Sequence, residues 1–201
     1  MIRFPTAALP FFLLAACIIS GCGGGAVSTN PRVLIKTELG DIEMEVFMDR
    51  APVTAANFMK YVEEGRFRGA TFYRTVTMDN QPDNDVKIEV IQGGLGEDPE
   101  GLALPPIAHE TTDKTVVLHK DGTVSMARST PGTAASEIFI CIGDQPELDF
   151  GGKRNPDGQG FAAFGQVVRG MDVVRKIQAQ PAEGQWLNPE IQIVEVRAIV
   201  R

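Results

Sequence analysis

The stretch VLIKTELGDIEMEV at positions 33–46 decides the fold class. Val33, Ile35 and Thr37 alternate with Leu34, Lys36 and Glu38, Gly40-Asp41 turns the chain, and residues 42–46 alternate again, which is the period-two pattern of a β-hairpin. Beyond it, Pro52 at a first helical position, Ala55, Phe58, Met59 and Val62 at helical spacing, and Gly65 past the end predict a short amphipathic helix. Its apolar stripe is expected to cap a sheet. Further strands are expected at 71–76, 86–92, 123–126, 137–142, 161–168 and 191–200, with a second helix from Met171 to Gln178. No break in composition separates residues 33 and 201. The expectation is one mainly β domain, a closed eight-stranded antiparallel β-barrel capped by two α-helices, because closure leaves no exposed strand edge.

Composition agrees with a folded domain and excludes several functions. Of 201 residues, 43% are hydrophobic and 22% charged, which rules out a disordered chain. The formal net charge of −7 argues against a nucleic-acid partner. Two His and three Cys leave little material for a metal site, and we expect neither metal nor cofactor. The acidic run at 79–85 lacks the EF-hand spacing and reads as a solvated loop. The Gly-rich segment 155–160 lacks the Lys of a phosphate loop and reads as a connection. Cys141 lies in an apolar run and reads as a core residue, Trp186 as a packing residue.

The amino terminus carries a different signal. From Phe4 to Ile19 the chain is nearly all apolar, with Arg3 before it and Ser20-Gly21-Cys22 after it, the form of a secretory signal peptide. The run is shorter than the roughly 20 residues a membrane span needs. Ile19-Ser20-Gly21-Cys22 resembles a bacterial lipobox, in which the peptide is cut before the Cys and its thiol is acylated. The expected division is a lipoprotein signal peptide at 1–21, lipidated Cys22 and a flexible Gly-rich tether at 22–32, and the folded domain at 33–201. This places the protein in the cell envelope, lipid-anchored on the periplasmic side. Gly23, which replaces the aspartate that retains many lipoproteins in the inner membrane, favours the outer membrane of a Gram-negative cell.

Within the domain, FYR at 72–74, IQGG at 91–94, GTVSMAR at 122–128, ASEIFICIG at 135–143, ELDF at 147–150 and FAAFGQVVRGMDVV at 161–174 occur in one order. On these segments the chain resembles the cyclophilins over residues 33–200. The resemblance implies peptidyl-prolyl cis/trans isomerase activity at a shallow groove on the barrel's outer face. It implies catalytic roles for Arg74 and Gln92, the first donating to the proline unit and the second binding substrate backbone and orienting the arginine. It also implies a substrate surface of Phe72, Ile88, Val90, Ala127, Arg128, Glu137, Phe139, Leu148 and Phe161, with Arg128 acting through its main chain more than its charge. The expected partners are proline-containing segments of envelope proteins and, through Cys22, a membrane. A monomer is expected.

The chain also departs from the family pattern. Glu89 stands where the pocket's principal phenylalanine is usual, so Ile88 is expected to supply that wall through a shifted register or bulge. Val90 replaces a methionine, Glu137 a glutamine, Ile138 an aromatic residue, Glu147 a tryptophan or phenylalanine, and Phe161 a histidine or tyrosine. The missing tryptophan removes one reason to expect tight binding of the cyclic peptide cyclosporin. Glu89 and Glu147 keep open a rival from another class, a non-catalytic module or chaperone that grips proline segments in the same groove. A purely structural lipoprotein fits poorly with retention of both Arg74 and Gln92.

Overall fold

The structure is a computed structural model in which residues 1–2, 30–98 and 100–199 are described. The signal peptide, lipobox and most of the tether, Cys22 included, lie outside the described residues. The elements in order are β1 (Arg32–Thr37), β2 (Gly40–Val46), α1 (Pro52–Glu63), β3 (Thr71–Val76), β4 (Val90–Gly94) and α2 (Thr112–Thr115). Then come β5 (Thr123–Met126), β6 (Ile138–Cys141), a 3-10 turn at Pro146–Leu148, β7 (Ala162–Arg169), α3 (Met171–Gln178), β8 (Ala182–Glu183) and β9 (Trp186–Ile199).

Eight strands form a closed antiparallel wall in the order β1-β2-β7-β5-β6-β4-β3-β9, and β9 pairs back onto β1 to complete the barrel. Two-residue β8 folds onto the start of β9 as a small outer flap. Alternation along the strands sends one face inward: Val33, Ile35, Ile42, Met44, Phe72, Ile91, Ile138, Ile140 and Phe164 meet inside as one core. Helix α1 packs against β7 and β9, with Phe58 tilted against Phe164 at 5.1 Å between ring centroids. Helix α3 lies across β2, β3 and β4.

The first helix has no side-chain cap at Ala51. Its free N–H groups are satisfied from afar by the Glu110 carboxylate, which accepts from the backbone N–H of Val53 at 3.2 Å and of Thr54 at 2.7 Å. A negative charge at a helix amino terminus also suits the helix dipole.

The strand expected at 86–92 begins only at Val90. The Gln81 side chain occupies Ile88 instead, accepting from its N–H at 3.2 Å and donating to its carbonyl at 2.8 Å, so that residue needs no ladder partner. The last strand starts at Trp186 rather than at 191. Trp186 is not a packing residue of the interior: it is 61% exposed, its ring stacked on Tyr73. Cys141 is fully buried, and burial pushes its thiol well up. No helix among the described residues is long and apolar enough to cross a membrane.

Candidate active site

The site is built on an irregularity in β3. Cα pairing runs Phe72 with Gly93 and then Arg74 with Gln92, so Tyr73 is an extra residue opposite a single step of β4. Such a bulge breaks the in-out alternation. Phe72 points into the barrel and is fully buried, whereas Tyr73 and Arg74 both emerge on the outer face, one on each side of Gln92. Phe72 is therefore a core residue that does not line the groove, which corrects its assignment to the substrate surface. Gly93 permits the arrangement, since a Cβ there would come within 2.3 Å of the Thr71 carbonyl and 2.8 Å of the Phe72 ring.

On that outer face, Val76, Ile88, Val90, Phe139, Cys141 and Leu148 form a second apolar cluster, separate from the core, with Ala127 and Phe161 packed against it. It floors a cavity of about 410 Å³. The walls include Arg74, Gln92, Ile88, Val90, Ala127, Arg128, Glu137, Phe139, Leu148 and Phe161. Ile88 reaches it from an irregular segment rather than from a strand. Glu89 faces the other way, toward Gln178 of α3 at 3.4 Å. Glu147 accepts from the Lys153 N–H at 2.8 Å and does not line the cavity. Neither carboxylate intrudes on the apolar notch, which removes the two features that favoured a non-catalytic module.

Hydrogen bonds hold the polar edge. Arg74 Nη1 donates to Gln92 Oε1 at 2.7 Å, while its Nε and Nη2 donate to Gln185 Oε1 at 3.0 and 2.6 Å. Gln185 donates in turn to the Asn80 carbonyl at 3.1 Å. Gln92 Nε2 donates to the Tyr73 hydroxyl at 2.8 Å, and that hydroxyl donates to Glu137 Oε2 at 2.6 Å. Glu137 also accepts from Gly96 N–H and the Ser136 hydroxyl. Burial pushes the Arg74 guanidinium below its ordinary value, and burial together with the Glu137 charge pushes the Tyr73 phenol up. The Tyr73 phenol thus keeps its proton, and stays a donor, throughout the neutral range.

Support for Phe139 comes from beneath. Its ring stacks on His119 at 5.8 Å and meets Phe161 edge-on at 5.2 Å. His119 Nδ1 lies 2.7 Å from Asp149 Oδ1, and Nε2 lies 3.0 Å from Ser125 Oγ. This serine-histidine-aspartate chain cannot act on a substrate, because Ser125 is fully buried. Arg128 was expected to contribute main chain. Its guanidinium is nearly fully buried and donates to the Gly160 carbonyl at 2.9 and 2.6 Å and to the Asp157 carboxylate at 2.8 and 3.0 Å, fixing the loop that carries Phe161.

A held guanidinium beside an apolar notch is equipment for binding and polarising, not for covalent chemistry. The family model for cyclophilin type peptidyl-prolyl cis-trans isomerase/CLD matches residues 32–198, nearly the whole described domain. The chain belongs to the cyclophilins. It is 34% identical over 173 residues to a peptidyl-prolyl cis-trans isomerase of Acinetobacter baylyi, covering 85% of this chain and 84% of that one. To peptidyl-prolyl cis-trans isomerase A of Dickeya dadantii it is 34% identical over 160 residues, covering 79% and 76%. Peptidyl-prolyl cis-trans isomerase B of Escherichia coli is 34% identical over 150 residues, with 73% and 83% covered. A crystal structure of a cyclophilin from Cryptosporidium parvum superposes with a TM-score of 0.69 at 19% identity, covering 86% of this chain and 99% of the other, a likeness of fold. This cyclophilin is a peptidyl-prolyl cis-trans isomerase.

Three residues of the site escaped sequence reading. Tyr73 adjoins Arg74, but strict alternation assigns neighbouring residues to opposite faces and the bulge overrides it. Gln185 approaches Arg74 from 111 positions away, with no local signal. Arg154 lines the cavity from just before the 155–160 connection, where no motif singles it out.

Proposed function

We propose that Arg74 is the group that lowers the rotational barrier, and that the proline ring of the substrate sits in the notch formed by Ile88, Val90, Phe139, Leu148 and Phe161. The barrier of ~18–20 kcal/mol comes from amide resonance. In the twisted state that resonance is lost and the nitrogen gains a lone pair, so a donor fixed beside it binds the twisted amide better than either planar isomer. The observation that carries this reading is the three-point hold on Arg74 by Gln92 and Gln185 at the edge of the apolar cluster. With its torsions locked, the guanidinium needs no reorganisation as rotation proceeds.

One charge-assisted hydrogen bond is worth about 1.5–3 kcal/mol, and a millionfold acceleration requires about 8 kcal/mol. The notch supplies part of the difference by removing water from around the amide, which strengthens each remaining polar contact. No bond breaks in a rotation, so no nucleophile is required.

The setting proposed for this activity is the cell envelope. Cleavage before Cys22 and acylation of its thiol would anchor the enzyme on the periplasmic side, at the outer membrane in a Gram-negative cell, as a monomer acting on extended Xaa-Pro segments of newly exported or unfolded proteins. The apolar run at 4–19, the Ile19-Ser20-Gly21-Cys22 sequence and the Gly-rich stretch after it support this.

A protease-free measurement of cis/trans exchange in a short Xaa-Pro peptide tests the mechanism, with Arg74→Ala as control. Equal acceleration by both proteins would remove Arg74 from it. For the anchor, Cys22→Ser should abolish incorporation of labelled fatty acid in cells, and labelling that persists in the variant refutes the assignment.

A further inference from the structure

The cavity holds a second guanidinium that the rotation does not use. Arg154 comes from the 149–160 loop and reaches across to the opposite wall, where its Nη1 donates to Gln81 Oε1 at 3.0 Å and to the Val86 carbonyl at 2.6 Å. Its Nε and Nη2 have no protein acceptor among the described residues. No carboxylate lies within ion-pairing distance of Arg154 or of Arg74 among those residues, whereas Arg128, the third arginine of the cavity, is neutralised by Asp157.

Two unpaired cations thus line one notch of a protein whose formal net charge is −7. Burial, and then the charge of Arg74, pushes the Arg154 guanidinium below its ordinary value, so the position is costly without an anion. The loop nonetheless fixes it there. Arg154 N–H donates to the Glu147 carbonyl at 3.1 Å, Gly151 N–H to the Gly158 carbonyl at 2.8 Å, and Arg128 clamps Gly160. Gly160 adopts φ +61, and a Cβ there would lie 2.5 Å from the Asp149 carbonyl carbon, so the return of the loop is tightly constrained.

We propose that Arg154 is a specificity-determining residue that recognises a carboxylate carried by the substrate next to its proline, so that this cyclophilin prefers acidic Xaa-Pro segments. The inference rests on the groove being the isomerase site. The free Nε and Nη2 form one edge of the planar fork that matches a carboxylate in two parallel hydrogen bonds. A proline held among Ile88, Leu148 and Phe161 places its neighbours within the same cavity as this edge. A lysine-flanked proline would meet two like charges there.

The test is peptide binding followed by NMR titration at low ionic strength, with exchange on an uncharged Ala-Ala-Pro-Phe peptide measured alongside. Paired peptides carry Glu or Gln immediately before, or immediately after, the proline. For at least one position we expect the Glu peptide to bind about 3- to 10-fold more tightly than its Gln partner, the ratio shrinking as salt is added. It should fall to near one in Arg154→Gln and be partly retained in Arg154→Lys. Because the ratio is taken within each protein, a general loss of affinity in a variant does not affect it. Equal binding of Glu and Gln peptides by the wild type at both positions overturns the proposal, as does a preference that survives unchanged in Arg154→Gln. Absence of exchange on the uncharged peptide would instead strike at the catalytic use of the groove and leave the Glu-to-Gln ratio standing.

Discussion

The Tyr73 hydroxyl donates to Glu137 Oε2 across 2.6 Å and accepts from Gln92 Nε2 at 2.8 Å. A carboxylate can only accept, so the phenol proton points to Glu137 and its oxygen takes the glutamine's N–H. The Gln92 amide then has one orientation, with Oε1 left to receive Arg74. Tyr73→Phe frees that amide to rotate. A hydrogen bond of about 0.5–1.5 kcal/mol is removed, so kcat/KM measured by exchange NMR should fall about 3- to 10-fold. Unchanged kinetics would show that Gln92 is oriented by something else.

The same phenol makes stability depend on alkaline pH. Burial first, and the Glu137 charge second, raise its folded pKa above the ordinary value. Below pH about 10 both folded and unfolded chains keep the proton and the contribution is intact; above it the unfolded chain loses its proton first and stability declines. The buried Cys141 thiol acts in the same direction from about pH 8.5. Thermal melts from pH 8 to 11 should show Tm falling, with a shallower decline for Tyr73→Phe above pH 10. Parallel curves for the two proteins would contradict this.

Arg74→Lys keeps the charge but loses the planar fork that engages Gln92 and Gln185 together. We expect kcat/KM to drop about 10-fold or more, in line with loss of a charge-assisted hydrogen bond, with Tm little altered. Gln185→Ala should lower it less, since Gln92 still holds Nη1. A lysine variant of full activity would mean that charge alone suffices.

Phe139 and Phe72 are both buried, yet they lie on opposite faces of the barrel wall. Replacing either by Ala should destabilise the domain by about 3–5 kcal/mol. Only Phe139→Ala should also raise KM for an Xaa-Pro peptide, because only that ring lines the cavity. A matching KM increase in a folded Phe72→Leu protein would restore Phe72 to the substrate surface.

Arg128→Ala removes the donors that hold the Gly160 carbonyl, along with the platform 5.1 Å above the Phe161 ring. Loss of about 2–3 kcal/mol is expected, lowering Tm by about 4–12 °C for a domain of this size. A Tm within a degree of wild type would mean that the loop is held without it.

Much of this molecule is written in local pattern. The hairpin, α1 and α3 follow from alternation and helical spacing, and the segments 72–74, 91–94, 122–128, 135–143, 147–150 and 161–174 together contain most of the cavity wall. The pattern fails where one side chain replaces a ladder partner, as Gln81 does for Ile88, and where the β3 bulge shifts Phe72 inward while bringing Tyr73 out. It is silent on contacts closed over long chain separations. Gln185 against Arg74 and Glu110 against α1 come from the meeting of distant segments, which no window of neighbouring residues contains.

The β1–β9 seam sets Arg32 opposite Ile199, so the first strand of the barrel waits for the last. A chain leaving the ribosome amino end first carries one naked β1 edge until β9 has been made, and contacts of such long sequence separation are slow to form. The biogenesis of this folding catalyst therefore passes through an open-edged species of its own, and a truncation that deletes only the final strand should leave that edge unsealed, with consequences for solubility far larger than the length removed.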